Sequence, residues 1–342
     1  MVDSGKKPQI HRSPHFYALS VLCTLFFAFP LIIPDQYLLR AAITILLYAF
    51  LTVSWNIIGG FAGQLSIGHS IFTGIGAYTS TLLFTNLGLS PWIGMVLGGF
   101  LASFASIIVG YPCFRLRGAY FVLVSIAVAE LLMHLVDSTE QIGGLKIMGA
   151  RGILLPFSGN APLKFQFMDN KYYYYIILIL LVIVVAVSFK IKNSKLGFYL
   201  FAIKDEPDAA ASLGINITKY KLIAFAISAF FTGMGGVFYA QFLMFISPER
   251  IFGLSLSFEL AIIGIVGGLG TIAGPILGAF FLRPISDLAQ IYLGGTYAGV
   301  HLLFYSVLLM VVVFYLPGGI IGPVERLYKF FLRPKAFLKG SS

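Results

Sequence analysis

Charge is scarce in this chain. Of 342 residues, 11% are Asp, Glu, Lys or Arg, against about 25% in an average soluble domain. So few charges cannot cover a water-facing surface of this size, which excludes a water-soluble globular enzyme as the main reading. Cysteine is nearly missing. The two present, Cys23 and Cys113, exclude a disulfide scaffold and read as small packing residues in apolar runs. A Walker A pattern needs Gly-Lys followed by Ser or Thr. The one Gly-Lys pair, Gly5-Lys6, is followed by another lysine, so no P-loop is expected. Neither H-E-x-x-H nor C-x-x-C occurs, and no standard zinc site is expected. The nearest approach to a G-x-S-x-G elbow, Gly63-Gln-Leu-Ser66-Ile-Gly68, has the wrong spacing. The sequence therefore points to no catalytic residue, no metal and no cofactor held by this chain.

What is abundant is apolar surface. Hydrophobic residues make up 58% and glycine 37 positions. This excludes intrinsic disorder and makes lipid the solvent for most of the chain. A span needs about 20 apolar residues. The candidates are Phe16–Ile33 (read as an uncleaved first span), Tyr37–Ile58, Gln64–Phe84, Pro91–Tyr111, Ala119–Val136, Tyr172–Phe189, Leu222–Ile246, the glycine-interrupted Leu256–Leu282, and Val300–Leu316. Four segments hold sixteen of the 23 basic residues: the N-terminus, the turn at Arg115 and Arg117, Lys190–Lys221, and the tail from Arg326 to Lys339. Basic loops stay in the cytoplasm, which explains the net charge of +10 better than nucleic-acid binding does. Placing all four inside requires Leu256–Val300 to cross twice, with a break at Gly267-Gly268-Leu269-Gly270-Thr271. Arg283 and Asp287, four apart, are expected to pair there.

The predicted fold is all-α: a polytopic membrane helix bundle of about ten transmembrane crossings with glycine-broken helices and both termini cytoplasmic. Its parts are a cytoplasmic N-terminal segment (1–15), a transmembrane domain (16–316) with a cytoplasmic loop (190–221), and a basic cytoplasmic tail (317–342). The outside loop Asp137–Lys171 is too polar to span. Tyr172–Tyr175, opening the next helix, suit an interfacial aromatic belt or ordinary packing.

The most informative hydrophilic stretch is Phe201–Gly214. Asp205 is a good N-cap and Asp208, three residues on, resembles a capping box. Pro207 is tolerated in the first turn, and Glu206 and Asp208 place negative charge at the positive end of the helix dipole. Gly214 can close the helix in the left-handed conformation. The expected product is a helix of about two turns, roughly 12 Å long, with a small face at Ala209, Ala210 and Ala211. Such a helix either seats in a groove on another protein or serves as a solvated connector.

Gly197–Lys221 resembles the ATPase-docking cytoplasmic loop of branched-chain amino-acid ABC transporter permeases of the LivM type, although Pro207 stands where that family often has another residue. Trp55–Ser70 with Gly74-Ile-Gly-Ala-Tyr78, and Gly264–Ala279, resemble the same family in the same order. The similarity runs from about Ala41 to Gly319. Urea and short-amide permeases share these motifs. The resemblance implies a permease subunit of an ATP-driven importer in the bacterial cytoplasmic (inner) membrane. Its expected partners are a second homologous permease, two cytoplasmic ABC ATPases and an extracytoplasmic substrate-binding protein. ATP is then used by the partner subunits. Asp205, Glu206, Asp208, Ala209, Ala210 and Gly214 would form the docking loop.

Polar groups inside spans are costly and are candidates for the pathway. Asn56, Gln64, Ser66 and His69 lie where Gly59, Gly60, Gly63 and Gly68 loosen a helix. They either line a cavity or pack helices closely. Glu130 and Glu259 lie in apolar runs, where a carboxylate costs at least ~2.5 kcal/mol. Each should face a cavity, pair with a partner or be protonated. The alternatives to the leading reading are a permease for urea or short amides, and an ion-gradient-driven secondary transporter working as one chain.

Overall fold

The computed structural model describes residues 26–32, 35–116, 118–142, 145–147, 149–293, 306–307, 310, 314–315 and 318–323. Most of the expected first and last spans, Arg117, and the basic tail beyond residue 323 lie outside the described residues. The helices are α1 (Gln36–Asn56), α2 (Ser70–Leu87), α3 (Pro91–Cys113), α4 (Ala119–Asp137), α5 (Asn170–Lys192), α6 (Lys195–Asp205), α7 (Pro207–Ser212), α8 (Ile217–Leu243), α9 (Pro248–Phe252), α10 (Leu254–Gly267) and α11 (Ala273–Leu293). Four two-residue strands sit at one end of the bundle: β1 (Gln141–Ile142) with β2 (Leu145–Lys146), and β3 (Ile153–Leu154) with β4 (Phe245–Ile246), both pairs antiparallel. Among the described residues, six helical stretches are long and apolar enough to cross a membrane: Gln36–Phe61, Pro91–Cys113, Ala119–Asp137, Asn170–Lys192, Ile217–Leu243 and Pro248–Gly267. Within Gln64–Phe84 the first residues are unwound and helix begins only at Ser70; Ser70–Leu87 is 18 residues long but, with six Ser or Thr and Asn86, too polar to join the six.

The central post is α1, whose most apolar stretch is 78% buried. It packs against α5, α8, α10 and α11. The trio α2, α3 and α8 is joined by small residues. On α3 the buried positions Gly94, Gly98, Ala102, Ser106 and Gly110 recur every four residues, while Phe100, Phe104, Ile107 and Ile108 face outward. This is the reverse of a soluble helix. Lipid is as apolar as leucine, so helices associate where small residues let backbones meet. A Cβ on Gly76 of α2 would collide with the Gly233 carbonyl of α8, and one on Gly98 would lie 3.0 Å from the Gly76 carbonyl oxygen.

α4 lies at the rim. Only 17% of its apolar stretch is buried, through Phe121, Ser125 and Ala129 on one stripe. In α5, capped by Asp169 through Lys171 N, Tyr172 is exposed but Tyr173 and Tyr174 are buried in the core. The belt expectation therefore fails for those two, because their stripe of the helix faces α1 and α8.

The two ends of the bundle differ in net charge. At one end the loop 138–169 covers the bundle. This end holds Arg40, Lys146, Arg151, Lys164, Lys171 and Arg250 nearly balanced by Asp35, Asp137, Glu140, Asp169 and Glu249, whereas at the other end cations outnumber carboxylates. Trp92 Nε1 donates to Pro162 O at 2.8 Å, and β3 is paired with the turn after α8. At the other end gather the end of α3, the start of α4, the α5–α8 connection and the α10–α11 break, with Arg115, Lys190, Lys192, Lys195, Lys204 and Lys219. Residues 318–323 return to that second end, where Ile320 N donates to Val266 O at 2.8 Å.

Candidate translocation site and coupling segment

Two breaks in helical backbone meet at the basic end of the bundle. The first follows α1, which loosens into a π turn over Ile57–Phe61 and is unwound until α2 begins. Each exposed backbone group in lipid needs a partner, and side chains from three helices supply them. Trp55 Nε1 donates to Ser66 O at 2.8 Å. Ile67 N donates to Ser125 Oγ of α4 at 3.1 Å, and Ser70 N to Ser257 Oγ of α10 at 2.8 Å. The second break separates α10 from α11, as the glycine run predicts. Asn56 joins the two: its Nδ2 donates to Thr271 O at 2.8 Å and its Oδ1 accepts from Gly270 N at 3.1 Å. Only a planar amide offers a donor and an acceptor side by side in this way.

The other expected pathway residues divide. Ser66 and His69 are fully buried, and Gln64 is half-buried between exposed Gly63 and Leu65. His69 Nε2 lies 2.8 Å from Ser228 Oγ, which is 2.6 Å from Ser54 O. The single Ser228 hydroxyl proton goes to that carbonyl, so Ser228 accepts and His69 carries its proton on Nε2. Ser66 Oγ and His69 Nδ1 have no hydrogen-bond partner among the described residues.

Glu259 is not isolated in space. It is ion-paired with Arg283, which also meets Asp287 at 2.9 Å and lies over the Tyr48 ring at 4.3 Å. This cluster ties α1, α10 and α11 together. Breaking such a pair leaves a buried charge uncompensated. The Arg283–Asp287 pairing appears as its spacing predicts. Glu130 lies away from both breaks on the rim helix α4, 3.5 Å from His134, with both side chains substantially exposed.

The α5–α8 connection holds one correction. Asp205 is not an N-cap; it is the last residue of α6. Glu206 takes the cap position with extended backbone (φ −149°, ψ 91°), and Pro207 is the first residue of α7. Proline disfavours helical geometry in the residue before it and suits the first helical position, so it cuts the helix one residue later than aspartate capping preferences suggest. α7 is six residues long, shorter than the expected two turns. Asp208 sits in its first turn and Ala210 is buried. Ala209 is exposed, and Gly214 adopts φ 82° as predicted. The sequence reading passed over two residues. Leu213, 82% exposed, caps the tip; an apolar residue set between Ser212 and Gly214 was the available signal. Lys204 reaches back from α6, its Nζ donating to Gly60 O at 3.1 Å in the first break. Phe201 supports it against Phe61, ring centroids 5.4 Å apart. The connection thus touches the place where the transmembrane helices are interrupted.

A family model described as "Branched-chain amino acid transport system / permease component" matches residues 37–316. The chain belongs to this family. As a permease component it is a membrane transport subunit rather than an enzyme. Among its relatives is the high-affinity branched-chain amino acid transport system permease protein LivM of Escherichia coli, 29% identical over 304 residues, covering 81% of this chain and 71% of the relative. LivH of Salmonella typhimurium is 25% identical over 297 residues, covering 81% and 92%. The autoinducer 2 import system permease protein LsrC of Photorhabdus luminescens is 29% identical over 106 residues, covering 30% and 32%. No solved structure matches. In this permease the three stretches that carried the resemblance are the two breaks and the α5–α8 connection.

Proposed function

We propose that this permease is one half of the membrane channel of an ATP-driven importer, taking up branched-chain or related amino acids across the bacterial inner membrane. The names of the LivM and LivH relatives support the solute class. The expected companions are a second homologous permease, two cytoplasmic ATPases and an extracytoplasmic binding protein. The single observation that carries the coupling half of this reading is the Lys204–Gly60 bond. α6, α7 and Leu213 form a cytoplasmic docking element for an ATPase, with Asp205, Glu206, Asp208 and Ala209 at its surface, Gly214 at its turn and the buried Ala210 seating α7 on the bundle. Movement of that element pulls on the first break through Lys204 and on the second through Asn56.

The basic end of the bundle then faces the cytosol, and the chain crosses about ten times. The solute passes beside the two breaks, where half-buried Gln64, together with Ser66 and His69 once the breaks part and uncover them, offers polar groups without a charged wall. Glu259 is a structural member of its ion cluster. Glu130, on the thinly covered α4, faces the companion permease. The test is uptake into vesicles holding both permeases, both ATPases and the binding protein. ATP-dependent uptake of leucine, isoleucine or valine is expected. Uptake of urea or short amides alone would move the assignment to that class. Gradient-driven uptake by this chain alone, without ATP, would replace it with a secondary carrier.

A further inference from the structure

On the outward side of α3 and α8 lies a groove of about 930 Å³. Its floor is low because Ser103 and Ala226 are small where their neighbours are not. Phe100 and Phe230, packed edge to face with centroids 5.1 Å apart, close its inner end. Its sides are Ile107 and Ile223, both exposed. At the opposite, outer end stand Arg115 and Lys219. The Arg115 guanidinium lies over the Tyr111 ring at 5.2 Å, which holds it at the mouth. Lys219 sits in the first turn of the 27-residue helix α8, whose positive dipole end points the same way. No acidic side chain among the described residues forms an ion pair with either.

We propose that this groove binds one anionic glycerophospholipid of the cytoplasmic leaflet, its phosphate between Arg115 and Lys219 and an acyl chain running along Ile107 and Ile223 to the Phe100–Phe230 pair. Length supports the fit. The rise from Tyr111 to Phe100 is about 16 Å at 1.5 Å per residue, one leaflet of a ~30 Å hydrocarbon core. Charge distribution supports it too: cations gather only at the mouth, as basic pockets between membrane helices do for acidic headgroups. The leaflet named here rests on the orientation proposed above. The headgroup and groove do not, so lipid binding and orientation fail independently.

The test is native mass spectrometry of the full-length permease in detergent, titrated with phosphatidylglycerol or phosphatidylcholine. Wild type should retain phosphatidylglycerol at least tenfold more tightly. Arg115→Gln with Lys219→Gln should weaken phosphatidylglycerol about 30-fold, the effect of two lost membrane-facing charges, and phosphatidylcholine, whose phosphate is offset by its own choline, much less. Ala226→Phe, filling the floor, should weaken both lipids. A photoreactive phosphatidylglycerol should label the stretch from Phe100 to Tyr111 in wild type, a readout that survives if the filled variant does not fold. Equal retention of the two lipids, phosphatidylglycerol binding unmoved by the charge changes, or labelling elsewhere would overturn the proposal. So would a cysteine at Ile107 that cross-links to the companion permease in the assembled transporter.

Discussion

One amide holds two interrupted helices in register. Asn56 satisfies Gly270 N–H and Thr271 C=O at once, and in lipid neither group has water to fall back on. Asn56→Ala strands both. At roughly 1–3 kcal/mol for each unsatisfied group, it should cost at least about 2 kcal/mol in reversible unfolding from detergent. Asn56→Asp keeps the acceptor but turns a carboxylate oxygen toward Thr271 O in the buried bundle, and should cost at least as much. The amino-acid sequence marks Asn56 as polar within a span, but its partners stand 214 and 215 positions away. Its partnership therefore became visible only once α1 and the second break were packed together. Glu259 was hidden in the same way, as its neutralising Arg283 comes from the next helix. Lys204 gives a sharper functional expectation. Lys204→Met should leave the permease folded and bound to its ATPases, because Leu213 and α7 are untouched, yet lower ATP-dependent uptake at least tenfold. Full uptake would show that the Gly60 bond transmits nothing.

At the scale of elements, α3 shows how a membrane helix is specified by what it omits. Its glycines fix which face meets α2 and α8, and its large side chains are left for lipid. Gly98→Leu should destabilise the bundle by about 1–3 kcal/mol through overpacking, whereas Phe104→Leu on the outward face should leave the unfolding temperature nearly unchanged. Most helices were legible as apolar runs, and the second break was legible from its glycines. Boundaries were less so. The Gln64–Phe84 run hides an unwound stretch because hydropathy does not distinguish helix from extended backbone. The break after Asp205 was displaced by one residue because Pro207, rather than the aspartate, sets it. The four tyrosines from Tyr172 to Tyr175 read as one belt, but a helix turns about 100° per residue and carries two of them inward.

For the whole molecule, cations outnumber carboxylates at the end that carries α7 and nearly balance them at the other, and the orientation proposed from this has a direct test. In a variant without native cysteines, a cysteine at Ser212 should react with a membrane-impermeant maleimide only in inside-out vesicles, and one at Ser158 only in right-side-out cells. The reverse pattern would invert the permease and detach α7 from any cytosolic ATPase. The two ends are also fastened by different means. Where β3 lies against β4, backbone pairs with backbone, Ile153 opposite Ile246, and Leu155 N adds a bond to Met244 O at 2.9 Å. At the opposite end, side chains such as Lys204, Trp55 and Asn56 do most of the fastening, beside the backbone bond from Ile320 N to Val266 O. A stroke delivered at Leu213 therefore meets buttons at the near end and a seam at the far one. On the orientation and docking proposed above, the near end is expected to give way first, so that a motor seated on α7 would open the inward door while the outward one is still stitched shut.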